Sequence, residues 1–70
     1  MARVLTENQC MLVGYLAEIG CKRSTIVRIL PNTWGEDKTI KMLEFCRDNP
    51  KASEEELLKR SYEISLENQE

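Results

Sequence analysis

Helix start and stop signals divide this chain of 70 residues into short segments, and they constrain the fold more than any other feature. Three Ser or Thr residues precede a Glu or Gln by three positions, the capping-box pattern of a helix N-terminus: Thr6–Gln9, Thr33–Glu36 and Ser53–Glu56. Two sites stop a helix, Pro31 and Asn49–Pro50, because proline cannot continue one. These signals predict four helices, over residues 7–19, 23–30, 34–48 and 53–66, and a frayed tail over residues 67–70.

Apolar residues recur at helical spacing within these segments, and no segment alternates as a strand does. The predicted apolar faces consist of Leu12, Leu16 and Ile19 with Met11 and Tyr15 in the first helix; Trp34, Ile40, Leu43 and Phe45 or Cys46 in the third; and Leu57, Leu58, Tyr62 and Ser65 or Leu66 in the fourth. The predicted fold class is therefore all-α, a small four-helix bundle in one domain of residues 1–70. Its second and third segments are predicted to be helix-turn-helix-like.

Individual residues add three expectations about packing. Trp34 is expected to fill the core between the second and third helices, and Met11, Met42 and Phe45 are expected to be interior. Gly14, inside the first helix, costs about 1 kcal/mol relative to alanine, so it either permits a close approach or marks a weak point.

The composition argues against several classes of function. No apolar run approaches the roughly 20 residues that cross a bilayer, and the N-terminus lacks the pattern of a secretory signal. The three cysteines fit no Cys-x-x-Cys spacing and histidine is absent, which predicts no disulfide framework and no metal site. No phosphate loop or nucleophile–histidine pair is present either. We therefore expect a cytoplasmic protein that needs no cofactor and is not an enzyme.

Charge is distributed unevenly along the chain. The net charge of -2 does not suggest a protein that coats nucleic acid by charge alone. Residues 1–35, however, carry four basic and two acidic side chains, whereas residues 36–70 carry six basic and ten acidic ones. Residues 1–35 therefore carry a net positive charge, as we expect of a protein that binds a polyanion through one face.

Residues 20–30, with the sequence GCKRSTIVRIL, combine a glycine, a basic and hydroxylated stretch, and apolar residues. This segment resembles the turn and recognition helix of helix-turn-helix DNA-binding regulators, with Gly20 in a left-handed helix cap. The resemblance implies that five residues face double-stranded DNA: Lys22, Arg23, Ser24, Thr25 and Arg28. Arg28 would pair with a guanine edge, while Lys22 and Ser24 would contact phosphate.

Two positions depart from that family pattern. Leu16 stands where these regulators normally have alanine, four residues before the glycine, and Lys22 stands where they normally have a capping hydroxyl. The crossing angle of the two helices is therefore left open. Since so short a reading helix buries little DNA surface, the resemblance also implies a homodimer that presents two helices roughly 34 Å apart, with the C-terminal helix assigned to the dimer contact.

An alternative interpretation uses the same segment differently. Ile19-Gly20-Cys21 resembles the Met-Gly-Phe loop of ubiquitin-associated domains, three-helix modules that bind protein partners through an apolar patch. That resemblance implies a protein-binding surface at Ile19, Cys21 and Leu43, with Cys21 in place of the large aromatic residue. Under this hypothesis the partner is a protein and the basic face is incidental.

Overall fold

The computed structural model describes residues 4–67, and it contains four helices and no strand in that range. The helices are α1 (Glu7–Glu18), α2 (Arg23–Ile29), α3 (Glu36–Asp48) and α4 (Glu54–Leu66). The all-α class and the number of helices are confirmed. The predicted fraying of the tail falls, beyond Glu67, outside the described residues.

The helix starts show why two of the predicted caps are right and one is wrong. Thr6 and Ser53 form complete capping boxes with Gln9 and Glu56. The predicted box at Thr33 does not form, because α3 begins at Glu36 with Gly35 as its N-cap. Glu36 is thus the first helical residue and not the third, and its carboxylate accepts a hydrogen bond of 2.7 Å from Asn8 Nδ2 of α1.

The helices are neighbours in the cyclic order α1, α3, α4, α2, and no Cα atoms of the diagonal pairs α1/α4 and α2/α3 approach within 8 Å among the described residues. The pair joined by a short turn and packed together is therefore α1 and α2. The predicted helix-turn-helix-like pairing of the second and third segments differs from this arrangement. In the connection after α2, the Trp34 indole Nε1–H donates to Ser65 Oγ of α4 at 2.9 Å, so this connection is joined to α4.

One buried apolar cluster joins all four helices. Its members are Leu12, Leu16, Cys21, Ile29, Leu30, Trp34, Met42, Cys46, Leu57 and Ile64. Each fully buried large aliphatic side chain contributes about 1.5–3 kcal/mol to folding through removal of its surface from water. Burial of Trp34 and Met42 confirms two of the core predictions, and Phe45 is half-buried against the cluster.

Several apolar residues predicted to face the core are exposed instead. Met11 is 55% exposed, Ile19 43%, Ile40 40%, and Tyr62 and Leu66 are each 65% exposed. Polar side chains occupy inward positions in three helices, namely Gln9, Thr39 and Ser61. The predicted buried faces differ from the observed ones because apolar periodicity counts only apolar residues. Hydrogen-bonded polar side chains also pack inside the protein. No helix among the described residues is long and apolar enough to span a membrane.

Candidate nucleic-acid interface

The turn between α1 and α2 has the geometry of a Schellman motif. Gly20 adopts φ +99°, the left-handed conformation that the sequence predicted for it. The Cys21 N–H donates to Leu16 O at 3.0 Å and the Gly20 N–H donates to Ala17 O at 3.1 Å, so two terminal carbonyls of α1 are satisfied. The turn holds α2 at a fixed position against the end of α1.

Lys22 is the N-cap of α2, and its side chain makes no capping hydrogen bond. Serine, threonine, aspartate and asparagine are favoured at this position because their oxygens accept from the free N–H groups of the first turn. A lysine ammonium can only donate, so Lys22 leaves those groups without a side-chain acceptor. The start of α2 thus has a charged, solvent-facing residue where a stabilising cap would normally stand.

The remaining side chains of α2 separate into an inner and an outer face. Ile29 is buried and Ile26 is half-buried against the core. The outer face consists of exposed Arg23, Ser24, Val27 and Arg28, with Thr25 half-buried at its edge. Ser24 and Arg28 are one turn apart on this face and Arg23 and Val27 form the neighbouring row, because residues four apart are neighbours on a helix surface.

The three basic residues of this segment have no acidic partner within residues 4–67. Within residues 4–67 the ion pairs are Lys41–Glu67 and Arg60–Glu63, which belong to α3 and α4 and their C-terminal end. Lys22, Arg23 and Arg28 form neither an ion pair nor a side-chain hydrogen bond with any described residue. All three are exposed in the part of the chain that the structure describes, so their charge is directed to solvent.

A shallow groove of about 590 Å³ separates the outer face of α2 from α4. Arg28 lines it from α2, and Lys59 and Tyr62 line it from α4. Lys59 is not among the site residues that the sequence predicts, and Tyr62 is predicted to face the core. Their positions three apart on α4 would have placed them on one face, but nothing in the sequence indicated that this face adjoins α2.

The alternative set, Ile19, Cys21 and Leu43, is distributed over three environments. Ile19 is exposed at the end of α1, Cys21 is buried at the start of the turn, and Leu43 is half-buried on α3. Ile19 is therefore the member of the set that a partner reaches directly. A protein-binding role for these three residues stays a prediction.

The two buried cysteine thiols, Cys21 and Cys46, are protonated at neutral pH. Burial raises the pKa of the Cys46 thiol to about 11, and the neighbouring Cys21 adds to this effect. Burial likewise raises the pKa of Cys21, with Glu54 contributing. Cys10 is the exposed thiol of the three. Among the described residues, no group of three or more His, Cys, Asp or Glu side chains is arranged to hold a metal ion.

Comparison with known proteins adds no family to this geometry. No protein-family model, no curated protein and no solved structure matches the chain.

Proposed function

We propose that the protein binds double-stranded DNA, as a small regulator or accessory factor, by placing the outer face of α2 in the major groove. The observation that carries the proposal is that Arg23 and Arg28 are exposed on α2 with no carboxylate partner among the described residues. The proposed role is binding and not catalysis, in the cytoplasm where such a regulator would meet DNA.

The side chains suit different parts of a duplex. A guanidinium can donate two hydrogen bonds to the O6 and N7 atoms of guanine, which makes Arg28 the candidate for reading a base. Lys22 and Ser24 suit phosphate oxygens, which fix the register of a protein on DNA without reading its sequence. Arg23 and Thr25 are at the two edges of the same face. The negative net charge is compatible with this function because the acidic side chains are concentrated in residues 36–70.

A homodimer is part of the proposal. The seven residues of α2 extend for only about 10 Å, so one copy buries too little DNA surface for tight specific binding. The longest dimension of the molecule is 31 Å, so two copies side by side suit the roughly 34 Å that separates half-sites on one face of a duplex. Exposed Leu66, which lies in the C-terminal half of α4 and does not line the groove beside Arg28, is the candidate for the dimer contact.

The test is selection of bound fragments from a random duplex library at low salt, followed by affinity measurements on the selected site. We expect Arg28→Ala to lower the preference for the selected site over random duplex by about 5- to 150-fold, since a bidentate guanine contact is worth about 1–3 kcal/mol. The matched control is Arg47→Ala, because Arg47 is also exposed but belongs to α3, which does not contact α2. Circular dichroism establishes that both variants fold.

Two results would contradict the proposal. One is the absence of any duplex binding at low salt by the folded protein. The other is binding that Arg28→Ala and Arg47→Ala weaken equally, because this would indicate general attraction between cations and phosphate and not a role of α2.

A further inference from the structure

A second groove, on the opposite side of α2, lies between that helix and α1. Its volume is about 760 Å³, and its walls include Leu5, Val13 and Ala17 on one side and Ile26 and Val27 on the other. Val27 is 53% exposed and Ala17 is exposed, so the groove is open to solvent along its length. It is an apolar trough and not an enclosed cavity, which suits a rod-like occupant better than a small molecule that must be mostly surrounded.

Ala17 lines the groove from α1 and belongs to a row of small residues on the exposed side of that helix. Cys10, Gly14 and Ala17 follow one another on successive turns and are all exposed. Gly14 weakens the helix, yet no atom lies within 4 Å of the place where its side chain would begin. The fold itself therefore has no steric need for glycine there, whereas a second backbone that approaches α1 closely would need it.

The α2 wall of the groove is positively charged. Arg23 is the charged residue among those that line the groove, and it has no acidic partner among the described residues. Lys22 precedes it and is equally unpaired. Glu18, the nearest acid along α1, follows Ala17 on the outer side of that helix. An acidic group in the groove would therefore be attracted toward α2 and repelled from α1.

From these three observations we infer that the α1–α2 groove binds an acidic amphipathic helix of a partner protein. Apolar side chains at positions i, i+4 and i+7 of such a helix span about 10 Å, the length of α2. The partner backbone crosses α1 at Gly14, its apolar side chains contact Val13, Ile26 and Val27, and an acidic residue on its α2 side pairs with Arg23. This inference does not depend on DNA binding, although an occupied groove would make Arg23 unavailable to DNA.

The probe is a fluorescent helical peptide of about 16 residues, long enough to hold a helix, with leucines at i, i+4 and i+7 and glutamates along one flank. A second peptide has glutamine at every glutamate position. We expect the acidic peptide to bind the wild-type protein about fivefold or more tightly than the glutamine peptide. Arg23→Gln is expected to remove that difference, because it removes the cation.

Three further variants locate the site. Val27→Glu and Gly14→Leu are expected to weaken binding of the acidic peptide by about tenfold or more, and both positions are exposed, so the fold tolerates them. Ile40→Glu is the matched control, an exposed apolar residue on α3 outside the groove, and is expected to leave binding unchanged. Gly14→Ala is the most informative variant, since it is expected to raise the melting temperature by about 4 °C and yet to weaken binding.

The inference is wrong if neither peptide binds at about millimolar concentration, or if Val27→Glu binds as the wild type does. Equal binding of the two peptides would overturn the assignment of an acidic partner. These measurements contain no DNA, so an absence of peptide binding does not contradict the proposed DNA-binding function. An absence of DNA binding likewise does not contradict a positive peptide result.

Discussion

Polar side chains in the core each bind a backbone carbonyl or amide, which is what allows them to be buried. Thr39 Oγ1 donates to Gly35 O at 2.9 Å, and Gln9 donates from Nε2 to Trp34 O at 3.4 Å while its Oε1 accepts from the Thr6 N–H at 3.0 Å. Ser61 Oγ donates to Ile29 O at 2.6 Å. The Ser61 bond bears most directly on the position of α2, because it joins α4 to the C-terminal end of α2, where no helical N–H is available to the carbonyl.

We expect Ser61→Ala to lower the free energy of unfolding by about 1–3 kcal/mol, since it leaves the buried Ile29 carbonyl without that donor. Urea denaturation measures the change. Ser24→Ala is the matched control, because Ser24 is exposed and makes no hydrogen bond to a described residue; its effect is expected to stay within about 0.5 kcal/mol. An equal effect of the two substitutions would mean that the Ser61 bond adds nothing to stability.

At the scale of the helices, the sequence predicts most of the fold because the decisive signals are local. Capping at Thr6 and Ser53, the left-handed Gly20 and the break at Pro31 each depend on a few adjacent residues. Thr33 shows the limit of such signals. Its capping pattern is as good as the other two, but α3 starts later, where Glu36 meets Asn8 of α1. That contact joins residues 28 apart in sequence, and no local pattern contains it.

Lys22 offers a test of whether the start of α2 sacrifices stability for function. We expect Lys22→Ser to raise the free energy of unfolding by about 1 kcal/mol, because serine supplies the missing acceptor for the first turn. The same substitution is expected to reduce the slope of log K against log salt for DNA binding by about 0.9, the loss of one phosphate contact.

Arg47→Ser is the control for that experiment, and we expect it to change neither stability by more than about 0.5 kcal/mol nor the salt slope. A Lys22→Ser protein that is more stable but has an unchanged slope would exclude Lys22 from the DNA contact. It would then leave the unusual N-cap without a function.

At the scale of the whole molecule, the cyclic order of the helices determines which surfaces are available. Since α2 contacts α1 and α4 but not α3, its outer face lies at a corner with one groove on each side. The exposure of Arg23 and Arg28 could be predicted from their own segment, because polar residues opposite an apolar row face solvent. The two grooves could not, because they depend on which helices become neighbours, and contacts between residues distant in sequence, such as Trp34 with Ser65, are not contained in any local pattern.

The position of Lys59 leads to a prediction that separates the two kinds of DNA contact. Lys59 and Arg28 line the same groove from different helices, and no carboxylate lines that groove with them. If α2 enters the major groove, the α4 wall faces the adjacent phosphates, so Lys59 would position the protein without reading bases. We expect Lys59→Ala to reduce the salt slope by about 0.9 and to weaken binding to selected and random duplexes equally, whereas Arg28→Ala weakens binding to the selected site more. A Lys59→Ala protein with unchanged affinity and slope would confine the interface to α2 and show that the duplex lies on the side of α2 away from α4.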